Sequence, residues 1–399
     1  MINKAYGTIV MRRLAMLLTL LMPFIATSEA LSQGLGTNPQ VPDYIYARRM
    51  EQLDQRSPIT LEYNTQVRAY IDVYLARRRD HLANILGRAE LYFPIFEEYL
   101  SKYNLPQELK YLAVIESALD PKAKSKSGAM GLWQFLYHAG LMMDLNVTSY
   151  EDDRCDVRKS TDAACRYLKY LYQNLGDWQL ALAAYNGGLG QVQKAQERAG
   201  GGKLTFWELS PYLTPEMRSY VPAFIAVNYV MNYYRQHNVT PARPAFTLAD
   251  IDTVYVNMSL SFDQISRATG VKREVLQQLN PQYIKDFIPY DDTPRRLTLP
   301  RSNVSRFIRN ERQLCPDAAP DLTGYFGNML IKHDTITHVV SKGEYLHKIA
   351  MKYKLTVSQI MEWNALPTKD VRIGQRLTLY YDREISPYFF VVEELLAKK

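Results

Sequence analysis

Two stretches in the last third of the chain lie over each other at a constant offset of 84 residues, and no other feature constrains the architecture as much. Thr253 to Asn280 aligns without gaps on Thr337 to Asn364, so Ile265 falls on Ile349, Leu276 on Ile360 and Asn280 on Asn364. Each copy opens on a β-type run (Thr253-Val254-Tyr255-Val256; His338-Val339-Val340) and passes through two short amphipathic stretches. It then closes on a second strand, Leu297-Thr298-Leu299 or Leu377-Thr378-Leu379. Solenoids need more copies of a shorter period, so the pattern predicts two small βααβ modules of α+β class, over 250–300 and 336–381. Between them, residues 301–335 carry Pro316, Pro320, Gly324 and Gly327 and predict a linker, with residues 382–399 left as a tail.

Ahead of Pro241-Ala242-Arg243-Pro244 the apolar spacing is helical from about Gln66 to His237, with no alternating strand pattern, which predicts one all-α domain over 66–240. Within Leu105 to Leu119, Leu109, Leu112 and Ala113 recur at the spacing of a buried stripe, and Pro106 suits a first helical turn. A second helix carries Ala164, Tyr167, Leu168, Leu171 and Leu175, with Ser160 or Thr161 as N-cap and Gly176 past its end. A long helix from Pro215 to Tyr234 closes the unit, and residues 31–65 read as a loosely structured lead-in.

Residues 1–30 have the form of an export signal: Lys4, Arg12 and Arg13 precede the apolar run Leu14 to Ala26, and Ser28-Glu29-Ala30 offers small residues for cleavage. The run is short for a transmembrane helix, so the expectation is a protein exported to the periplasm or secreted, with no stable membrane anchor after cleavage. Cys155, Cys165 and Cys315 would permit one bridge in an oxidising compartment, with Cys155–Cys165 the closer pair. The six histidines form no cluster, so neither a metal nor a cofactor is expected. A net charge of +7 favours an anionic partner without choosing between nucleic acid and cell-wall polymer, and thirty tyrosines suit either sugar faces or helix packing.

The stripe Leu109, Leu112, Ala113 is extended at the next i+3 position by Glu116, which puts a carboxylate on the face that turns to the core. Burial raises a carboxyl pKa by disfavouring the charged form, and a carboxyl protonated near neutral pH is what a general acid for glycosidic cleavage needs. The alternative is a helix-end glutamate leaning into solvent or pairing with a lysine.

The residues after it run Glu116-Ser117-Ala118-Leu119-Asp120-Pro121, Ala123, Ser125 and Gly128-Ala129-Met130-Gly131-Leu132-Trp133-Gln134-Phe135. Further on come Asp153-Arg154, Ala183-Ala184-Tyr185-Asn186-Gly187-Gly188-Leu189-Gly190 and Glu216-Met217-Arg218-Ser219-Tyr220-Val221-Pro222. Together these resemble the soluble lytic transglycosylase catalytic domain, a mainly α, lysozyme-like fold acting on peptidoglycan. The resemblance implies that Glu116 is both acid and base, that Ser125, Met130, Gln134, Tyr185, Asn186 and Tyr220 contact substrate, and that the product is a 1,6-anhydromuramic acid end. Trp133 can be core or sugar platform, and Glu216 is expected to pair with Arg218 or Arg154. Ala139, Met217 and Leu189 depart from the family pattern without touching the proton-transfer group.

The second repeat, with His338-Val339-Val340, Ser341-Lys342-Gly343-Glu344-Tyr345-Leu346, Trp363-Asn364 and Ile373-Gly374-Gln375, resembles LysM glycan-binding modules. On that resemblance Ser341, Gly343, Glu344, Leu366 and Ile373 line a shallow groove between the loop after the first strand and the loop before the last. The first copy has Ser259 in place of Gly343 and four extra residues before its last strand, so glycan binding and scaffolding remain equal alternatives for it. The partner implied is the peptidoglycan glycan strand and not nucleic acid, met by a monomer. Alternatives are a hydrolytic muramidase and an inactive peptidoglycan-binding scaffold.

Overall fold

A computed structural model describes residues 41–290, 293–314, 330–341, 344–353, 355 and 357–385. The expected signal segment, Cys315 and Gly343 lie outside the described residues. The chain forms two compact units: one runs to Tyr137 and takes in Asp152–Asp252 and Asn280–Gln282, the other holds His138–Glu151, Thr253–Leu279 and the chain from Tyr283 onward.

The first unit is helical. Its elements are α1 (Asp43–Asp54), α2 (Thr65–Asp72), α3 (Arg79–Lys102), α4 (Leu112–Ser117), α6 (Val157–Leu175), α7 (Trp178–Gly187), α8 (Leu189–Arg198), α9 (Phe206–Leu209) and α10 (Pro215–Tyr233), while α5 (Tyr137–Met142) belongs to the second unit from His138 onward. Helix α10 buries Met217, Tyr220, Val221, Phe224, Ile225, Val227 and Tyr229, residues from every side of the helix, which marks it as the central element. It packs on α2 and α7. In α7 Ala181, Ala183 and Ala184 are fully buried, and these short side chains let α6, α8 and α10 approach one helix from several sides.

Three details correct the sequence reading. The lead-in is not loose: it contains α1, whose Tyr46, Met50 and Leu53 are buried. Tyr46 stacks on Tyr229 at 5.3 Å and carries the Arg68 guanidinium 3.7 Å above its ring. Burial and the nearby Arg49, Arg68 and Arg79 push His237 of the same cluster down to about 4. Leu105 to Leu119 is not one helix; a 3₁₀ segment, Gln107–Tyr111, precedes α4. The N-cap of α6 is Asp156, which accepts from Arg158 N and Lys159 N at 2.9 and 2.8 Å. The Ser160 and Thr161 hydroxyls instead donate back to the carbonyls of Asp156 and Val157. Gly176 closes α6 in the left-handed conformation, as expected. Cys155 and Cys165 are both buried free thiols, so the closer pair is not bridged; burial pushes each up to about 12.

The second unit contains both repeats. The first is β1 (Ile251–Val256), β2 (Leu260–Ser261), α11 (Phe262–Thr269), α12 (Arg273–Leu279), β3 (Phe287–Ile288) and β4 (Arg295–Pro300), with β1 paired to β4. Its core gathers Val256, Phe262, Ile265, Leu276, Leu297 and Leu299. Phe307 belongs to the same core, because the expected linker begins with a helix, α13 (Arg301–Asn310), whose Phe307 is buried there. The second repeat pairs β5 (Leu330–Val339) with β6 (Arg376–Ile385) antiparallel, Thr337 opposite Thr378, around α14 (Leu346–Tyr353) and α15 (Val357–Trp363). Its strands reach beyond the expected 336–381, into the linker on one side and the tail on the other.

In the second repeat Asn364, the residue aligned with Asn280, donates to Thr378 O at 2.8 Å and accepts from Thr378 N at 2.7 Å. One side chain thereby satisfies both backbone groups of a strand residue.

Candidate active site

Glu116 stands in the last turn of α4. The helix stops after Ser117 because Ala118 and Leu119 both turn left-handed, at φ of 51° and 59°. Two non-glycine residues in that region cost energy, and the packing that holds them is visible. Leu119 is fully buried, and the Ser117 hydroxyl bonds Ala113 O at 2.9 Å and Leu132 O at 3.0 Å, which ties the end of α4 to the loop 123–135.

That loop is braced by its own backbone, with antiparallel bridges Lys124–Met130 and Met130–Phe135. Gly131 sits at φ +79°, and a Cβ on it would lie 1.9 Å from Arg154 O, so the close approach requires glycine. Arg154 is the external staple: its guanidinium is held by Asp152 at 2.7 Å and donates to Gly128 O at 3.0 Å and Phe135 O at 3.3 Å. The expected Glu216–Arg154 pair is therefore replaced by Asp152–Arg154, and among the described residues no ion pair joins Glu216 to Arg218.

The Glu116 side chain is half-buried, and the Tyr220 hydroxyl of α10 donates to its Oε1 at 2.5 Å. Burial raises the Glu116 carboxyl from its ordinary 4.5 to about 7, against the opposing pull of the Tyr220 hydrogen bond. Tyr185 of α7 is close enough to feel the Glu116 charge, and its hydroxyl donates to Trp133 O at 2.8 Å. Burial foremost, and then the Glu116 charge, hold the Tyr185 and Tyr220 phenols well above their ordinary value, so both remain hydrogen-bond donors.

Of the residues expected at the site, the structure bonds Tyr220 to Glu116 directly and sets Tyr185 within range of its charge. Gln134 is left-handed at φ 50°, and its amide donates to Ala123 O at 3.0 Å and Gly131 O at 2.8 Å, so part of its hydrogen-bonding capacity holds the loop. Ser125 likewise accepts from Ala129 N at 2.9 Å and bonds Ser127 Oγ at 2.8 Å. Met130 and Asn186 are half-buried, one within the braced loop and one beside Tyr185. Trp133 is core: fully buried, it donates to Thr161 Oγ1 at 3.0 Å.

In the second repeat, Glu344 works within its own turn, accepting from Ser341 N at 2.7 Å and meeting His338 Nε2 at 2.9 Å. The Ser341 bond, foremost among the polar contacts, draws the Glu344 carboxyl below its ordinary value. Leu366 packs against the module core, whereas Ile373 and Tyr345 are 69% and 57% exposed. Tyr345 lies at the end of the expected first groove loop, 341–345, and its exposure adds it to the side chains open to a ligand there.

The first repeat differs at this point. Its two loops at the corresponding place are stitched together by β2 and β3, Leu260 opposite Ile288 and Ser261 opposite Phe287. Phe262 N donates to Asp286 O at 2.8 Å, and Tyr290 N to the Ser259 hydroxyl at 3.1 Å.

Family comparison matches residues 93–205 to the transglycosylase SLT domain, 250–315 to the LysM-like domain of lytic transglycosylase MltD, and 338–379 to the LysM domain. The chain carries a transglycosylase SLT domain followed by LysM-type modules, the domain make-up of a lytic transglycosylase. Within that class it is similar to membrane-bound lytic murein transglycosylase D of Escherichia coli K12, 28% identical over 319 residues, which are 79% of this chain and 69% of that one. It is also 31% identical over 163 residues to soluble lytic murein transglycosylase of Escherichia coli K12, covering 39% of this chain and 25% of that one. Among solved structures, the 70 kDa soluble lytic transglycosylase of Escherichia coli aligns with 51% of this chain and 32% of its own, at 23% identity and a TM-score of 0.33.

Removing the Tyr220 hydroxyl has a signed consequence. The hydroxyl favours the charged form of Glu116, so Tyr220→Phe raises the carboxyl pKa further. The alkaline limb of the pH–rate profile is expected to move up by roughly one pH unit, the scale of one hydrogen bond to a charged group, while the maximal rate falls. An unmoved or acid-shifted limb would show that this bond does not tune the acid.

Proposed function

We propose that this lytic transglycosylase cleaves the MurNAc–GlcNAc β-1,4 bond of peptidoglycan with Glu116 as its single acid and base. One observation carries the reading: Glu116 is lifted to about 7 by burial while bound to Tyr220, which leaves it near half-protonated at neutral pH. Glycosidases that use two carboxylates need the second close by. Among the described residues no carboxylate contributes to the Glu116 shift, a pattern that favours substrate assistance.

In the first step Glu116 gives its proton to the bridging oxygen as the bond from the muramic C1 breaks, with the substrate's own N-acetyl group assisting at C1. In the second, the Glu116 carboxylate takes the proton of the C6 hydroxyl, and O6 closes on C1. Proton and bonds balance without water, and the carboxyl is regenerated. Tyr220 holds Glu116 in place, and Tyr185 fixes the Trp133 carbonyl beside it. Ser125, Met130 and Gln134 of the loop 123–135, with Asn186 of α7, contact the sugar substituents.

Mass analysis of a digest of purified cell wall tests this reading: muramic ends lighter by one water support it, and ordinary reducing ends would indicate a hydrolytic muramidase.

The second LysM module delivers the enzyme to its insoluble polymer through Ser341, Tyr345 and Ile373, which raises the effective concentration at the wall. Tyr345→Ala with Ile373→Ala is expected to weaken sedimentation with wall material by about tenfold, with cleavage of soluble glycan unchanged. Retained sedimentation would remove the module from wall binding. The closed loops of the first module support a scaffolding role for it. We further propose that the chain is exported through residues 1–30 to the periplasm or beyond and acts as a monomer; among the described residues no helix is long and apolar enough to cross a membrane.

A further inference from the structure

The ring contacts that begin at the reacting carboxyl continue past it. Tyr185, beside Glu116, meets Tyr167 of α6 at 5.6 Å between ring centroids, and Phe135 meets both rings at 6.5 Å. One turn further along α6, Tyr170 stacks on Tyr167 at 6.4 Å with only 17° between the ring planes. Residues three apart share one face of a helix, so the two rings stand side by side.

Access to water increases along this row. Tyr185 and Tyr167 are half-buried, whereas Tyr170 is 48% exposed. Core packing accounts for the inner rings but not for the outermost one, which keeps a large apolar face in solvent. None of the steps assigned to Glu116, Tyr185 and Tyr220 uses Tyr167 or Tyr170.

Nearly parallel, partly wet tyrosine rings suit one kind of ligand well: a pyranose, whose faces are apolar C–H surfaces and whose rim is hydroxyl. The ring binds the face, and the phenol tip serves the rim. We propose that Tyr167 and Tyr170 form a sugar-stacking platform that carries the glycan strand onward from Glu116, at a subsite beyond the two sugars flanking the cleaved bond. The proposal rests on the reading of Glu116 as the acid of glycosidic cleavage and adds a preference for strand length. A strand long enough to reach Tyr170 gains binding that is the same in the ground and transition states, which lowers KM with little effect on kcat.

The test uses the full chain with three substitutions, Tyr170→Ala, Tyr170→Leu and Tyr170→Phe, on long soluble glycan strands and on the shortest fragment the enzyme cleaves. Tyr170→Ala and Tyr170→Leu are expected to lose roughly fivefold to tenfold in kcat/KM on long strands, mainly through KM, as expected for one aromatic contact. Their activity on the short fragment stays unchanged. Tyr170→Phe, which keeps the flat ring, stays within about twofold of the parent on both. Equal activity on long strands, or an equal loss on both substrates, overturns the platform. Glu116→Gln run alongside separates the two ideas: activity retained in that variant overturns the catalytic reading itself, while an inactive Glu116→Gln beside an indifferent Tyr170→Ala overturns the platform alone.

Discussion

Glu116→Gln is expected to abolish release of soluble fragments from cell wall, with a loss of at least ~10²-fold and up to ~10⁴-fold, the range set by a single general acid–base group. The amide preserves shape and can still meet the Tyr220 hydroxyl, so the loss reports proton transfer and not collapse of the site. Binding to wall material through the second module should survive, which makes sedimentation an internal control. Fragment release at the parent rate would assign the chemistry to another group and leave the protein a binding scaffold at this position.

The same substitution is expected to stabilise the fold, and only above acid pH. In the unfolded chain the Glu116 carboxyl ionises near its ordinary 4.5, whereas in the folded protein it holds its proton to about 7. Below 4.5 both states are protonated, and the group is neutral in the comparison. Between these values the unfolded chain releases a proton that the folded protein keeps, so folding loses stability as pH rises; above 7 the loss is complete and constant. Its size is at most about 3 kcal/mol, reduced in practice because the side chain is only half-buried. Glutamine has no proton to lose. Glu116→Gln should therefore match the parent at pH 4 and melt several degrees higher at pH 8. Three of the four tryptophans, Trp133, Trp178 and Trp207, lie in the helical unit, so fluorescence follows the relevant transition. A melting difference that is the same at both pH values would contradict the buried-acid account.

The carboxylate proposed to react was only partly legible in the sequence: periodicity sets Glu116 on the stripe of Leu109, Leu112 and Ala113 but leaves a solvent-leaning glutamate open, and the family resemblance is what singles it out as an acid. Its partner was legible only through family resemblance: Tyr220 is 104 positions away, and no spacing rule connects α4 with α10. Helix α1 was missed for the same reason. Its stability depends on Tyr46 meeting Tyr229 and Arg68, contacts that no window of twenty residues contains. Gln134 and Ser125 show the opposite limit. Motif matching identifies them, but does not reveal that each side chain already serves its own loop. In the first repeat the four extra residues were visible as an insertion, while the β2–β3 pairing that they accompany depends on a register that alternation over two residues cannot specify.

Among the glycines, Gly131 combines close packing with a tight turn. Its left-handed backbone makes the turn, and the Arg154 carbonyl fills the space a Cβ would need. The Asp153-Arg154 motif thus acts on the site indirectly, through the loop that Arg154 pins and that Ser117 links to the end of α4.

The central claim is that the Glu116 carboxyl keeps its proton close to neutrality, and titration of that carboxyl in the intact protein tests it most directly. Difference infrared spectra of the parent against Glu116→Gln, recorded across pH, isolate the carboxyl C=O band of this one residue. A midpoint at about 7, moving upward in Tyr220→Phe, is the result the account predicts. A midpoint near the ordinary 4.5, indifferent to Tyr220, would contradict it.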